Sequence, residues 1–157
     1  MKALFLLCLV LFATVSVVSA QRTSVGSSEV TGTFRLYFSG GSKGDYNQVK
    51  ISSVGKGKLK ISMNLTYPYK DGNGQMTANF GEAEGTADIT GDTAIFTPEG
   101  TETCKITIKF VKLGQIKLTQ DGGDSGCGFG HNVYSDGTYI KVMLSFESPP
   151  LKKLSAI

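Results

Sequence analysis

The run Cys104-Lys105-Ile106-Thr107-Ile108-Lys109-Phe110-Val111-Lys112-Leu113-Gly114-Gln115-Ile116-Lys117-Leu118-Thr119 decides the fold. Cys104, Ile106, Ile108 and Phe110 alternate with Lys105, Thr107 and Lys109, and Ile116 and Leu118 alternate with Gln115, Lys117 and Thr119. A two-residue period puts one set of side chains on a buried face and the other in water, the pattern of a half-buried strand. Only Leu113-Gly114 separates the two runs. A parallel partner would need a crossover of about a dozen residues or more, so a break this short makes an antiparallel hairpin.

The same alternation recurs on both sides of this hairpin. Leu59, Ile61, Met63 and Leu65 carry it upstream, as do Phe34, Leu36 and Phe38; Thr138, Ile140, Val142 and Leu144 carry it near the end. Turn-forming stretches stand between, among them Ser39-Gly40-Gly41-Ser42, Gly55-Lys56-Gly57, Asp71-Gly72-Asn73-Gly74, Thr90-Gly91-Asp92 and Glu99-Gly100. Strands are expected near 30–38, 46–54, 57–67, 76–89, 93–97, 103–111, 114–120 and 137–146, with no stretch between them long enough for a crossover helix. The expected fold class is all-β, an antiparallel meander of about eight strands, enough to close a small barrel. A β-sandwich is the alternative. Thr31-Gly32-Thr33-Phe34 and Asp136-Gly137-Thr138-Tyr139 open the first and last strands alike, which suits two strands that pair and seal the edge. In the fourth strand Gly81, Ala83, Gly85, Ala87 and Ile89 share a face of small residues. That face leaves room either for a bulky neighbour such as Phe110 or Phe34, or for a ligand.

The N terminus has the form of a secretory signal. Lys2 precedes an apolar run from Ala3 to Ala13, and Val18-Ser19-Ala20 offers small residues to a signal peptidase. The run is too short for a membrane span, which needs about twenty residues, and no later stretch is apolar enough. The expected organisation is a signal peptide at 1–20, a single β domain at 21–147 and a C-terminal tail at 148–157. The expected setting is secreted or periplasmic. With Lys2 removed, the 16 basic residues fall to 15 against 13 acidic. An excess of two gives no reason to expect nucleic acid or a membrane surface as partner. Cys8 leaves with the leader, and in an oxidising compartment Cys104 and Cys127 most simply form one disulfide, contributing roughly 3 kcal/mol in the chain-entropy view.

Catalytic and metal-binding patterns are thin. Gly123-Asp124-Ser125-Gly126 has the letters that surround a serine-protease nucleophile, but the chain's one histidine, His131, follows in the same loop and none precedes it. The run therefore reads as a glycine-rich loop. His131 could serve as an acid or base, though no carboxylate partner is fixed by sequence. Asp71, Asn73, Gln75 and Glu82 mimic part of a calcium loop, yet Met76 stands where the sharp-turn glycine belongs, and a hairpin turn explains the same residues. Asp121, Asp124 and Asp136 read as turn formers. No cofactor or metal site is expected. Asn64-Leu65-Thr66 is a glycosylation sequon with Asn64 on the outward face.

The most distinctive stretch is Cys127-Gly128-Phe129-Gly130-His131-Asn132-Val133-Tyr134-Ser135-Asp136-Gly137-Thr138-Tyr139. It resembles the C-terminal signature of a group of small secreted bacterial proteins that carry a C-G-F-G-x-N-V-x-x-D-G-T-Y pattern. The similarity extends to Gly81-Glu82-Ala83-Glu84-Gly85 and to Thr93-Ala94-Ile95-Phe96 leading into Cys104-Lys105-Ile106. The resemblance implies an extracytoplasmic β domain and no named activity. Physically, Gly126, Gly128 and Gly130 let the loop fold tightly back, Cys127 pins it to Cys104, and Phe129 plugs one end of the barrel. Asp124, Phe129, His131, Asn132 and Tyr134 are the candidate binding loop, because a pinned loop at a barrel mouth is where a ligand site forms.

The expected function is a non-enzymatic binding module for a protein or a small ligand. An inhibitor-like form is suggested by likeness in size, compartment and disulfide use to the small β-barrel inhibitors of lysozyme in bacterial envelopes. A structural envelope protein is the alternative, and a hydrolase built on His131 and a nearby aspartate the third reading.

Overall fold

The computed structural model describes residues 24–142. The signal segment, the C-terminal tail and the end of the expected last strand, 143–146, lie outside the described residues. Eight strands form: β1 Gly32–Tyr37, β2 Tyr46–Gly55, β3 Lys58–Lys70, β4 Met76–Thr90, β5 Thr93–Phe96, β6 Lys105–Lys112, β7 Gln115–Asp121 and β8 Gly137–Val142. Each pairs antiparallel with its neighbour in chain order, and β8 returns to β1 to close a barrel. The meander and the barrel are as the alternation predicts, and the sandwich is excluded.

Closure falls on the two strands with matching openings. Thr33, Phe34 and Arg35 pair with Val142, Lys141 and Ile140. The glycine of each opening makes room for a side chain of the other strand. A Cβ on Gly137 would sit 2.7 Å from Leu36 Cδ2, and one on Gly32 would collide with Lys141 Cε. Both glycines hold positive φ, 141° and 157°, conformations that other residues rarely adopt.

A contiguous core fills the barrel. Phe34, Phe96, Phe110 and Tyr139 are fully buried together with Val49, Ile51, Leu59, Ile61, Met63, Leu65, Ile106, Ile108, Ile116 and Leu118. The small face of β4 does point inward, as the space for large neighbours requires. The rings that occupy the space at its glycines are not Phe110 or Phe34. Phe129 and Val133 lie over Gly81, within 2.8 and 2.9 Å of where a Cβ would stand, and Phe96 lies over Gly85 at 3.1 Å.

The expected inward face of β8 is corrected. Tyr139 points inward and Ile140 outward, about half exposed. The tyrosine takes the core because its ring fills volume there while its hydroxyl donates to the Ser135 carbonyl at 2.9 Å. Lys141, on the same inward face, ends at the barrel rim, where Nζ donates to the Ser28 carbonyl at 2.8 Å. Ser28 belongs to a single helical turn, α1 (Ser27–Val30), whose buried Val30 joins the core. This end of the barrel also carries the tight turns after β2, β4 and β6. The longer loops, 38–45, 71–75, 97–104 and 122–136, all gather at the other end.

Candidate functional site

At the loop-bearing end two features rise above the barrel rim. The first is the β3–β4 hairpin. β2 pairs with β3 only as far as Asn64, and the Asn47 side chain accepts from the Thr66 N–H at 2.7 Å just beyond. The pairing of β3 with β4 continues from Thr66↔Phe80 to Lys70↔Met76. Past Thr66, then, the hairpin overhangs with only its own partner strand. Alternation carries Tyr67 and Tyr69 on the face that holds Met63 and Leu65 lower down, so the rings project over the barrel mouth. They stack at 6.3 Å between centroids, 23° apart, and remain about two-fifths exposed. The Asp71 carboxylate builds the hairpin tip, accepting from Asn73 N–H at 2.9 Å and Gln75 N–H at 2.8 Å. The residues that mimic a calcium loop thus make an Asx turn. Among the described residues no cluster of three or more His, Cys, Asp or Glu side chains could hold a metal ion.

The second feature is the loop from Gly122 to Asp136. The Cys104–Cys127 disulfide ties it to the start of β6, and Phe129 is buried as a plug over β4, both as the sequence predicts. Asp124 organises the rest. Its two oxygens accept from the Ser125 N–H at 2.6 Å and the Asn132 N–H at 2.7 Å, and His131 Nδ1 lies 3.6 Å from Oδ2. The Asn132 and Ser125 N–H groups, with His131 alongside, hold the Asp124 carboxyl below its usual range. Asn132 sits at φ 61°, a left-handed conformation that asparagine tolerates better than most residues.

Loop and hairpin are clamped together. Gly130 N–H donates to the Phe80 carbonyl at 2.9 Å, and Asn79 Nδ2 donates to the His131 carbonyl at 2.7 Å. A side chain at position 130 would press within 2.7 Å of that Phe80 oxygen, so the approach requires glycine. Between them lies a groove of about 270 Å³ lined by Tyr67, Tyr69, Asn79, His131 and Asn132. Larger concavities lie on the outer side of the hairpin, by Met76 and Phe80, and at the β4–β5 seam, by Asp88 and Ile95. Neither combines stacked rings with convergent amides, which is why the smaller groove is the better candidate.

Of the five candidate loop residues, His131 and Asn132 line the groove. Asp124 supports them from behind, Phe129 is committed to the core, and Tyr134 is exposed without lining the groove. Tyr67, Tyr69 and Asn79 were missed by sequence reasoning. The available signal was the alternation of Leu59 to Leu65 continuing into Tyr67 and Tyr69 past Pro68. The Asp–His contact brings a carboxylate to His131 that sequence did not fix. Ser125 gives that carboxylate its backbone N–H. Asn64 is exposed on the outer face, opposite Gln48 and Glu82. Compared with known proteins, the chain matches no family model, no curated protein and no solved structure.

Proposed function

We propose that the protein is an extracytoplasmic, non-enzymatic binding module that holds a protein or small ligand at its loop-bearing end. The observation that carries this reading is the groove between the overhanging hairpin and the disulfide-pinned loop. A filled interior leaves recognition to the outside of the barrel. A groove clamped before any ligand arrives loses little conformational entropy on binding. Tyrosine rings that are apolar on the face and polar at the tip suit such a surface.

The setting rests on the leader-like N terminus and on the disulfide, a bond that persists in oxidising compartments. Among the described residues no helix is long and apolar enough to cross a membrane. Against a hydrolytic role stands the use of Asp124, whose oxygens are taken by two backbone N–H groups, and the open position of His131, four-fifths exposed. A general base works best in a site that excludes water.

An inhibitor-like role is one form of the proposal, in which hairpin and loop together enter a partner's cleft. The test offers immobilised protein to lysozyme and assays it separately for ester and glycoside hydrolysis. Retention of lysozyme that Asp124→Asn weakens is the expected result for the inhibitor-like form. Turnover that His131→Ala abolishes would overturn the binding-module reading.

A further inference from the structure

Resting on that reading, we propose that the groove takes a neutral, polyhydroxylated ring, and that its ligand is an uncharged oligosaccharide. The lining selects this chemistry. Among the described residues no Asp, Glu, Lys or Arg lines the groove, and its one imidazole, on His131, already has the Asp124 carboxylate 3.6 Å from Nδ1, so the lining holds no unpaired full charge to match a phosphate, carboxylate or ammonium group. Two tyrosine rings stack in near-parallel planes along one strand, centroids 6.3 Å apart, and both keep aromatic surface open at the groove. The C–H face of a pyranose packs on such a surface, burying apolar area against the ring while its hydroxyls stay at the rim. A hydroxyl is both donor and acceptor, and so is a carboxamide. Asn79 uses one N–H on the His131 carbonyl and leaves its oxygen without a partner among the described residues, and the Asn132 side chain makes no hydrogen bond among them. The two amides and the tyrosine hydroxyls thus offer donors and acceptors beside the stacked rings. The volume of about 270 Å³ holds roughly one to two sugar rings, and the groove is open to solvent, so a longer chain can continue outside it.

The support behind the groove fits a small ligand with few contacts. Asp124 fixes Asn132, the Asn79–His131 bond fixes the spacing between hairpin and loop, and the disulfide fixes the loop on the barrel. Preorganisation of this kind lets a weakly held sugar bind without ordering the site first.

The experiment is calorimetric titration of the purified protein with cellotetraose, maltotetraose and tetra-N-acetylchitotetraose, followed by tyrosine emission. The chain contains no tryptophan, so the six tyrosines supply the signal. At least one tetraose is expected to bind, and Tyr67→Ala and Tyr69→Ala are each expected to weaken it about tenfold or more. Tyr69→Phe, which keeps the ring, retains most of the affinity. Tyr37→Ala, an exposed tyrosine on β1 outside the groove, leaves it unchanged. Thermal melts confirm that each variant is folded. No binding of any tetraose up to about 10 mM, or binding indifferent to both alanine variants, overturns the saccharide assignment. Either result leaves the module reading standing, because that reading falls instead on turnover dependent on His131.

Discussion

Asp124 and Tyr139 show how much of this molecule depends on single polar groups. Asp124 is the acceptor around which the loop folds, and its carboxyl is held below the usual 3.8 by the Asn132 and Ser125 N–H groups. A depressed folded value means the stabilisation is present above pH 3.8 and is lost as the pH falls through that lower value. Amide protection at Ser125 and Asn132, taken as the exchange rate relative to the intrinsic rate at the same pH, should therefore fall below about pH 3.8 and stay constant between pH 5 and 7. Asp124→Asn should bring the same loss of protection at neutral pH, since an amide nitrogen cannot accept the second N–H. Tyr139 is the mirror case. Burial pushes its phenol well above the usual 10.0, against the opposing effect of the Asn47 side chain and with the help of the Asp136 charge. A raised folded value keeps the contribution whole below pH 10.0, and stability should decline as the pH rises beyond it. Tyr139→Phe keeps the ring but leaves the Ser135 carbonyl without its donor, and urea unfolding should read a loss of about 1–2 kcal/mol. At this scale sequence is a poor guide. The Asp124–His131 contact depends on the left-handed turn at Asn132 and on the clamp to Asn79, neither of which any spacing rule announces.

Strands were far more legible than the contacts between them. Alternation in Cys104–Thr119 and Leu59–Leu65 located the elements because each buries one face and wets the other. β8 was misread because Ile140 and Val142 mimic an inward face. The choice is made by Tyr139, whose hydroxyl finds partners inside, and by Lys141, which escapes at the rim toward the Ser28 carbonyl. The overhang of β3–β4 was illegible for another reason: it is set by where β2 begins to pair with β3, at Gln48, a property of pairing and not of one strand. The glycines of the seam and of β4 give this scale its predictions. Gly137→Ala forces a methyl against Leu36 at a positive φ, and Gly81→Ala forces one against Phe129 and Val133. Each should destabilise by about 1–3 kcal/mol in chemical denaturation. The second loss should be partly restored by Phe129→Leu, a ring-free side chain over the same strand, while the first should not.

The whole molecule divides its labour between two ends. One is closed by α1, Lys141 and tight turns; the other bears the long loops found among the described residues, the disulfide and the groove, and a packed core separates them. The disulfide belongs to the second end. Cys104→Ser with Cys127→Ser should lower stability by about 2–4 kcal/mol yet leave the barrel's strand signal in circular dichroism intact, because the eight-strand ladder closes without it. Loss of affinity at the groove should accompany it, since the loop would no longer be held to the start of β6. The measurement that bears most directly on this division is an amide chemical-shift map of the ¹⁵N-labelled protein, titrated in turn with lysozyme and with each of the three tetraoses. Shifts confined to Tyr67–Phe80 and Asp124–Ser135, with Phe34, Ile61 and Ile108 unmoved, are expected from recognition at the loop-bearing end. Shifts centred on those core amides, or at the α1 end around Lys141, would contradict it.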